Sequence, residues 1–249
     1  MGADSDTEVR AERRGLRELG PVVLVRSAHP LAAVLTALGV AVVAALAGRP
    51  LREVLLVLAT VLVGQAVVGW HHDLVDRTRP SSAEPGGSPL GRGLLEPGTV
   101  WFTVACATLL LVPLCVANGL VAGSAYLLSW ALLLLGNLVL RRSWLSWVPA
   151  AASYALLPAF VSYGGWGGQA RGEPPEVAVT ALVAALGVCV HLLTCLPHLV
   201  EDNREGYRHL ALRIALRTGA PRLLWATLVL TGLVVTATAW VATQVGLAQ

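Results

Sequence analysis

The sequence predicts an all-α protein, a polytopic transmembrane helix bundle of about seven spans, and three observations carry that prediction. Hydrophobic residues make up 55% of the 249 and charged ones 13%, with a mean hydropathy of +0.68. That balance leaves little material for a soluble domain. The apolar residues fall in runs near the roughly 20 needed to cross a bilayer as a helix, and the breaks between runs are short and polar.

The spans are read at residues 22–47, 53–71, 99–117, 119–140, 144–163, 176–198 and 221–244. The first follows a polar segment rich in Glu and Arg, and its run is too long for a signal-peptide core, so it is expected to remain as a helix. The chain thus divides into a polar cytoplasmic tail, residues 1–20, and one helical membrane domain, residues 21–249. Between the second and third spans, GGSPLGRG at 86–93 lacks the lysine and the preceding strand of a phosphate loop and reads as a connection. Only Asn118 and Gly119 part the third span from the fourth. Pro149 and Pro158 interrupt the fifth, SYGGWGGQARGEPPE at 162–176 is a turn, and Pro197 kinks the sixth just before its polar end. Ahead of the seventh, Leu210, Leu212 and Ile214 alternate with Arg208, Arg213 and Arg217 in an amphipathic stretch.

All 18 basic residues are arginine, and the formal net charge is only +3, which points away from nucleic acid. With the N-terminus cytoplasmic, fifteen arginines fall on inside segments and only Arg49, Arg52 and Arg171 outside. This bias sets the orientation. Arginine-only basicity with abundant Ala, Val, Leu and Gly points to a bacterial cell membrane. Trp70, Trp101, Trp144, Trp147 and Trp166 near span ends read as interfacial anchors. The four cysteines lie in apolar runs and read as packing.

Of five aspartates, Asp4 and Asp6 belong to the tail. The other three are Asp73 and Asp76, in HHDLVD at the end of the second span, and Asp202, in HLVED at the end of the sixth, on the same predicted side. Acidic groups at membrane depth are costly and tend to line a site. Carboxylate oxygens suit Mg2+, which bridges them to a substrate phosphate, and Arg77, Arg79, Arg204 and Arg208 stand near enough in sequence to neutralise the rest of a diphosphate.

These stretches resemble the UbiA superfamily of intramembrane prenyltransferases. HDLVDRTRP at 72–80 resembles the family's first motif, of the form NDxxDxxxD, and HLVEDNREGYRHLALRIALRTG at 198–219 its second, of the form DxxxDxxxG. RSAHP at 26–30, SPLGRGLLEPGTVW at 88–101 and RRSWLSWVPAAASYALLPAF at 141–160 are similar to other family segments, the last to actinobacterial members. The resemblance implies prenyl transfer from an isoprenyl diphosphate, held through Mg2+, to a lipophilic acceptor. Asp73, Asp76 and Asp202 would be catalytic and metal-linked, with His72 and His198 in the metal set by position. Arg208, with Arg141 or Arg142, would face the diphosphate, beside Arg77 and Arg204.

Three departures weaken that set: His72 replaces the motif's Asn, Pro80 its third Asp, and His198 the Asp that opens the second motif. Neutral imidazole is a poor Mg2+ ligand. The family usually has nine spans against the seven read here, so the resemblance implies a cavity either open on one side or completed by a homo-oligomer or partner subunit. The alternative function is a non-catalytic isoprenoid-binding or assembly subunit with a degenerate aspartate site. A zinc or iron site from His71, His72, His191, His198 and Cys195 is a further reading. Tyr154 and Asn137 are read as helix-to-helix hydrogen bonders.

Overall fold

The computed structural model describes residues 20–165 and 174–245. Residues 1–19 of the predicted tail, Trp166 and Arg171 lie outside them. Among the described residues every regular element is helical.

The first predicted span is a broken one. Helices α1 (Gly20–Ser27) and α2 (Pro30–Leu46) meet at a 56° bend. His29 makes the corner with a left-handed φ of 51°, and Pro30, which has no N–H to lose, starts the second helix. Helix α3 (Leu51–Asp76) passes so close to this corner that a Cβ on Gly69 would lie 2.3 Å from the Ala28 carbonyl oxygen. On the next residue, Trp70 Nε1 donates to the Leu24 carbonyl at 2.8 Å. Trp70 thereby fastens α1 to α3.

Helices α4 (Pro97–Ala117) and α5 (Leu120–Val139) form a hairpin at Asn118 and Gly119, the latter with φ 106°. The fifth predicted span is two pieces, α6 (Trp147–Ala155) and α7 (Leu157–Ser162), parted just before Pro158. The sixth is α8 (Val177–Cys195), a 3-10 turn over Leu196–His198 centred on Pro197, and α9 (Leu199–Arg204). The amphipathic stretch is α10 (Leu210–Thr218), and α11 (Ala220–Val245) is the seventh span. Five of these helical segments are long and apolar enough to cross a membrane alone; the bent α1–α2 pair makes a sixth, and α6–α7 is a shorter apolar unit.

Packing follows membrane rules rather than aqueous ones. On α2 the buried face is small, Ala33, Ala37, Val40, Ala41 and Ala44, and it lies on α3. The opposite face exposes Leu31, Leu35, Leu38, Val42 and Leu46. Small residues let two backbones approach where lipid tails leave no hydrophobic gain between helices, and the large ones meet lipid. Phe160, Val57, Val61 and Leu111 fill the core at one end, while Val23, Val67, Leu74, Leu90 and Val100 fill it at the end where α3 and α5 terminate. That second end carries both acidic motifs.

Candidate functional site

Local chemistry at the end of α3 sets the site. The helix stops as Arg77 folds back on it, its guanidinium donating to the Leu74 carbonyl at 3.0 Å. Pro80 favours the extended Arg79 backbone (φ −74°, ψ 139°), because its ring clashes with a preceding residue in the helical region. The Arg79 amide still donates to the Asp76 carbonyl at 2.9 Å. The side chain is thereby aimed across the bundle end toward α9.

From the other side, α9 brings Asp202, followed by Glu205. Gly206, with φ 75°, turns the chain so that the Tyr207 amide donates back to the Asp202 carbonyl at 2.9 Å. The next amide, of Arg208, donates to the Arg142 carbonyl at 3.0 Å. This one bond ties the second acidic motif to the turn after α5 and so places Arg141 and Arg142 at the site.

Arg79 bridges the two motifs. Its Nη2 donates to Asp202 Oδ1 at 2.5 Å, its Nε to Glu205 Oε2 at 2.6 Å, and its Nη1 lies 3.5 Å from Asp76 Oδ2. Ser81 adds a hydroxyl donor to Glu205 Oε1 at 2.6 Å and an amide donor at 3.2 Å. Asp76 faces His72 Nδ1 at 3.5 Å and forms an ion pair with Arg141 Nη2 that lacks hydrogen-bond alignment. Burial works against the Arg79 charge, but Asp202, Asp76 and Glu205 outweigh it and raise the guanidinium above its usual range. Burial alone would raise Glu205; its contacts with Ser81 and Arg79 win and hold it below the usual carboxylate range.

His209 closes the network. Its Nδ1 accepts the Leu212 amide at 3.2 Å as the N-cap of α10, so Nε2 carries the ring proton and donates to Asp202 Oδ2 at 2.9 Å. Tyr207 lies beneath three guanidiniums, with Arg79, Arg142 and Arg141 at 4.7, 5.0 and 5.5 Å from the ring centre.

A cavity of about 460 Å³ opens over this cluster. Its lining combines the cationic and polar Arg79, Arg141, Arg142, Glu205 and Tyr207 with the apolar Val75, Leu138 and Val139. Among the ion pairs of the described residues Arg142 has no carboxylate. The space suits an amphiphilic anion, phosphate on the arginines and an alkyl tail running into the bilayer.

The structure thus brings together His72, Asp76, Arg79, Asp202, Arg141 and Arg142 of the residues singled out in the sequence. Asp73 is buried but turned toward Ser88 and Leu90 in the α3–α4 connection, with Oδ2 unpaired. Arg77, Arg204 and Arg208 are exposed and do not line the cavity, and His198 is exposed as well. Glu205, Tyr207 and His209 were not singled out; neither was Arg79 as a bridge. The available signals were the Arg-Pro pair at 79–80 and a lone His just before an amphipathic helix.

The residues present do not fit Mg2+ as they stand. Hard divalent cations need open carboxylate oxygens. Both oxygens of Asp202 are committed, both of Asp76 face cationic or imidazole nitrogen, the Arg79 guanidinium stands between the two carboxylates, and the one open oxygen of Asp73 belongs to a carboxylate turned toward Ser88 and Leu90. Among the described residues no three His, Cys, Asp or Glu side chains are grouped to hold a metal. The zinc reading fails on the same ground. His71 pairs with Asn137 at 3.2 Å and His72 with Asp76, while His191 contacts Ser146 at 3.0 Å and Cys195 at 3.7 Å.

Fold and site together define a polytopic helical membrane protein with an amphiphilic, arginine-lined cavity at one end. Its fold is the UbiA fold. Two solved structures of a UbiA homolog from Archaeoglobus fulgidus, one bound to GPP and Mg2+ and the other to DMAPP and Mg2+, match it with a TM-score of 0.66. In each case 89% of this chain aligns with 78% of that one at 17% identity. By sequence, no family model and no curated protein matches the chain.

Proposed function

We propose that the chain binds an isoprenyl diphosphate at the end of the bundle where α3, α5 and α9 meet, on the cytoplasmic face, and that it is a functional as well as a structural relative of UbiA prenyltransferases. The observation that carries this is the cavity lined both by three arginines and by the apolar Val75, Leu138 and Val139. A diphosphate takes paired, charge-assisted hydrogen bonds from guanidinium groups, and a prenyl chain takes the apolar lining. The ligands held by the Archaeoglobus fulgidus homolog, GPP and DMAPP, belong to this chemical class.

Prenyl transfer to a lipophilic acceptor is the activity in this reading. The C1–O bond of the allylic diphosphate breaks with its electron pair leaving on diphosphate, and the acceptor forms the new bond to C1 and gives up a proton. Arg141 and Arg142 stabilise the negative charge that grows on the leaving group. A second reading, a non-catalytic isoprenoid-binding subunit, is favoured by one specific observation, the neutralisation of Asp76 and Asp202 from within the protein.

The test is equilibrium binding of allylic diphosphates of several chain lengths to the purified protein in detergent, with diphosphate release followed in parallel on addition of membrane lipid extract. Binding that Arg142→Ala weakens supports the proposal, and release separates transfer from carriage. No binding at any length overturns it.

A further inference from the structure

We propose that Arg79 is the site's built-in cation and that anion binding here is independent of divalent metal. The inference rests on the isoprenyl diphosphate reading for its ligand and on geometry for its cation.

The guanidinium is not a mobile surface group that happens to lie near acid. Its backbone is fixed three times over, by the Pro80 restriction, by its own amide on the Asp76 carbonyl at 2.9 Å, and by its carbonyl accepting the Ser82 amide at 3.1 Å. The head reaches one carboxylate from each acidic motif, Asp76 and Asp202, and a third, Glu205, from the turn that follows. With a side chain 10% exposed, these partners are held away from bulk water. Their attraction is correspondingly stronger than at a surface.

Charge counting gives the same answer. Arg79 and Arg141 pair directly with Asp76, Asp202 and Glu205, and with Arg142, unpaired among the described residues, beside them the six side chains sum to zero formal charge without a metal ion. A divalent ion seated between Asp76 and Asp202 would touch the guanidinium and leave two excess positive charges. Hydrogen bonding makes the arrangement specific. Asp202 is held on both oxygens, by Arg79 and by the Nε2–H of His209, a neutral donor whose orientation the α10 cap fixes. An incoming phosphate therefore does not need a metal to bridge it to carboxylates. It meets Arg142, which carries no carboxylate of its own among the described residues, and Arg141 beside it. The carboxylates serve to hold Arg79 and Arg141 in place.

The experiment uses the full-length protein in detergent and two probes, geranyl diphosphate and Mn2+. Geranyl diphosphate is titrated in excess chelator and again in excess Mg2+. The expected affinities agree within about twofold, and Arg142→Ala weakens both by about tenfold, the loss of one charge-assisted contact. Binding that appears only with Mg2+ overturns the inference and leaves the ligand assignment standing. Absence of geranyl diphosphate binding under both conditions overturns the ligand assignment, and the cation arm then stands by itself. In that arm, Mn2+ binding is read by its paramagnetic resonance signal. The wild type is expected to bind no Mn2+ at the cluster, and Arg79→Ala to gain a site that Asp202→Ala removes. Wild-type Mn2+ binding that Asp202→Ala abolishes overturns the inference, whether or not Arg79→Ala folds.

Discussion

Asp202→Asn isolates the chemistry of the central network, because it keeps the shape of the side chain and removes one acceptor. In the wild type Oδ1 accepts from Arg79 and Oδ2 from His209, whose proton lies on Nε2 because Nδ1 accepts the Leu212 amide. Asparagine offers one oxygen and one NH2, so either Arg79 or His209 must face a donor. If the oxygen keeps Arg79, His209 must move its proton to Nδ1 and lose its cap on α10. Either that cap is lost, at about 0.5–2 kcal/mol, or His209 keeps it and loses the charge-assisted hydrogen bond to residue 202, at about 1.5–3 kcal/mol. Asp76 and Glu205 still hold Arg79 and the cheaper arrangement prevails, so the net destabilisation is about 1.5 kcal/mol, roughly one power of ten in the unfolding equilibrium. The assay is unfolding in mixed micelles on titration with a denaturing detergent, followed by the fluorescence of the eight tryptophans. The shared carboxylate also requires Asp202→Asn and His209→Ala to be coupled, with the double variant less unstable than the sum of the singles by about 1–2 kcal/mol. A single-variant cost below about 0.5 kcal/mol, or additive effects, would refute it.

Other consequences follow from the same geometry. Gly69→Val drives its side chain into the Ala28 carbonyl oxygen, which lies 2.3 Å from where the Cβ must sit, and overpacking of this kind costs about 1–3 kcal/mol in the same unfolding assay. Gly206→Ala forces a Cβ into a φ of 75° and costs about 1–2 kcal/mol. Glu205 is held below the usual carboxylate range, so its contacts stabilise the fold above about pH 4.3, its unfolded value, and that contribution is lost as pH falls through the lower folded value. A stability-against-pH series should therefore show a shallower acid limb for Glu205→Gln than for the wild type. Arg77→Ala, which removes a guanidinium outside the cavity, should leave geranyl diphosphate affinity within about twofold, in contrast to Arg142→Ala.

The bundle was legible because hydropathy is a direct consequence of the bilayer as solvent, and each of the seven apolar runs has its helix or helix pair. The breaks were less legible. A bend at His29 depends on one left-handed residue and on Gly69 letting α3 come close, which is a tertiary fact. Trp70 looked like any tryptophan near a span end until its Nε1 had a partner on α1. At the site, the confinement of Asp73, Asp76 and Asp202 to two loops pointed to the right end of the molecule. It did not reveal that Asp73 turns away toward Ser88, or that Arg79 reaches across to Asp202, a partner 123 positions distant. Sequence proximity marked Arg77, Arg79, Arg204 and Arg208 alike; only the backbone fixed by Pro80 sets Arg79 apart.

The central claim is that the arginine-lined cavity is where an isoprenyl diphosphate sits. Photolabelling with a benzophenone-bearing allylic diphosphate, followed by peptide mapping, tests it most directly. Adducts are expected on the segments holding Val75 and Leu138–Val139, displaced by geranyl diphosphate and lost in Arg141→Ala/Arg142→Ala. Labelling confined instead to the apolar groove between α8 and α11, at Leu193, Leu196 and Leu224, and indifferent to competitor would contradict it.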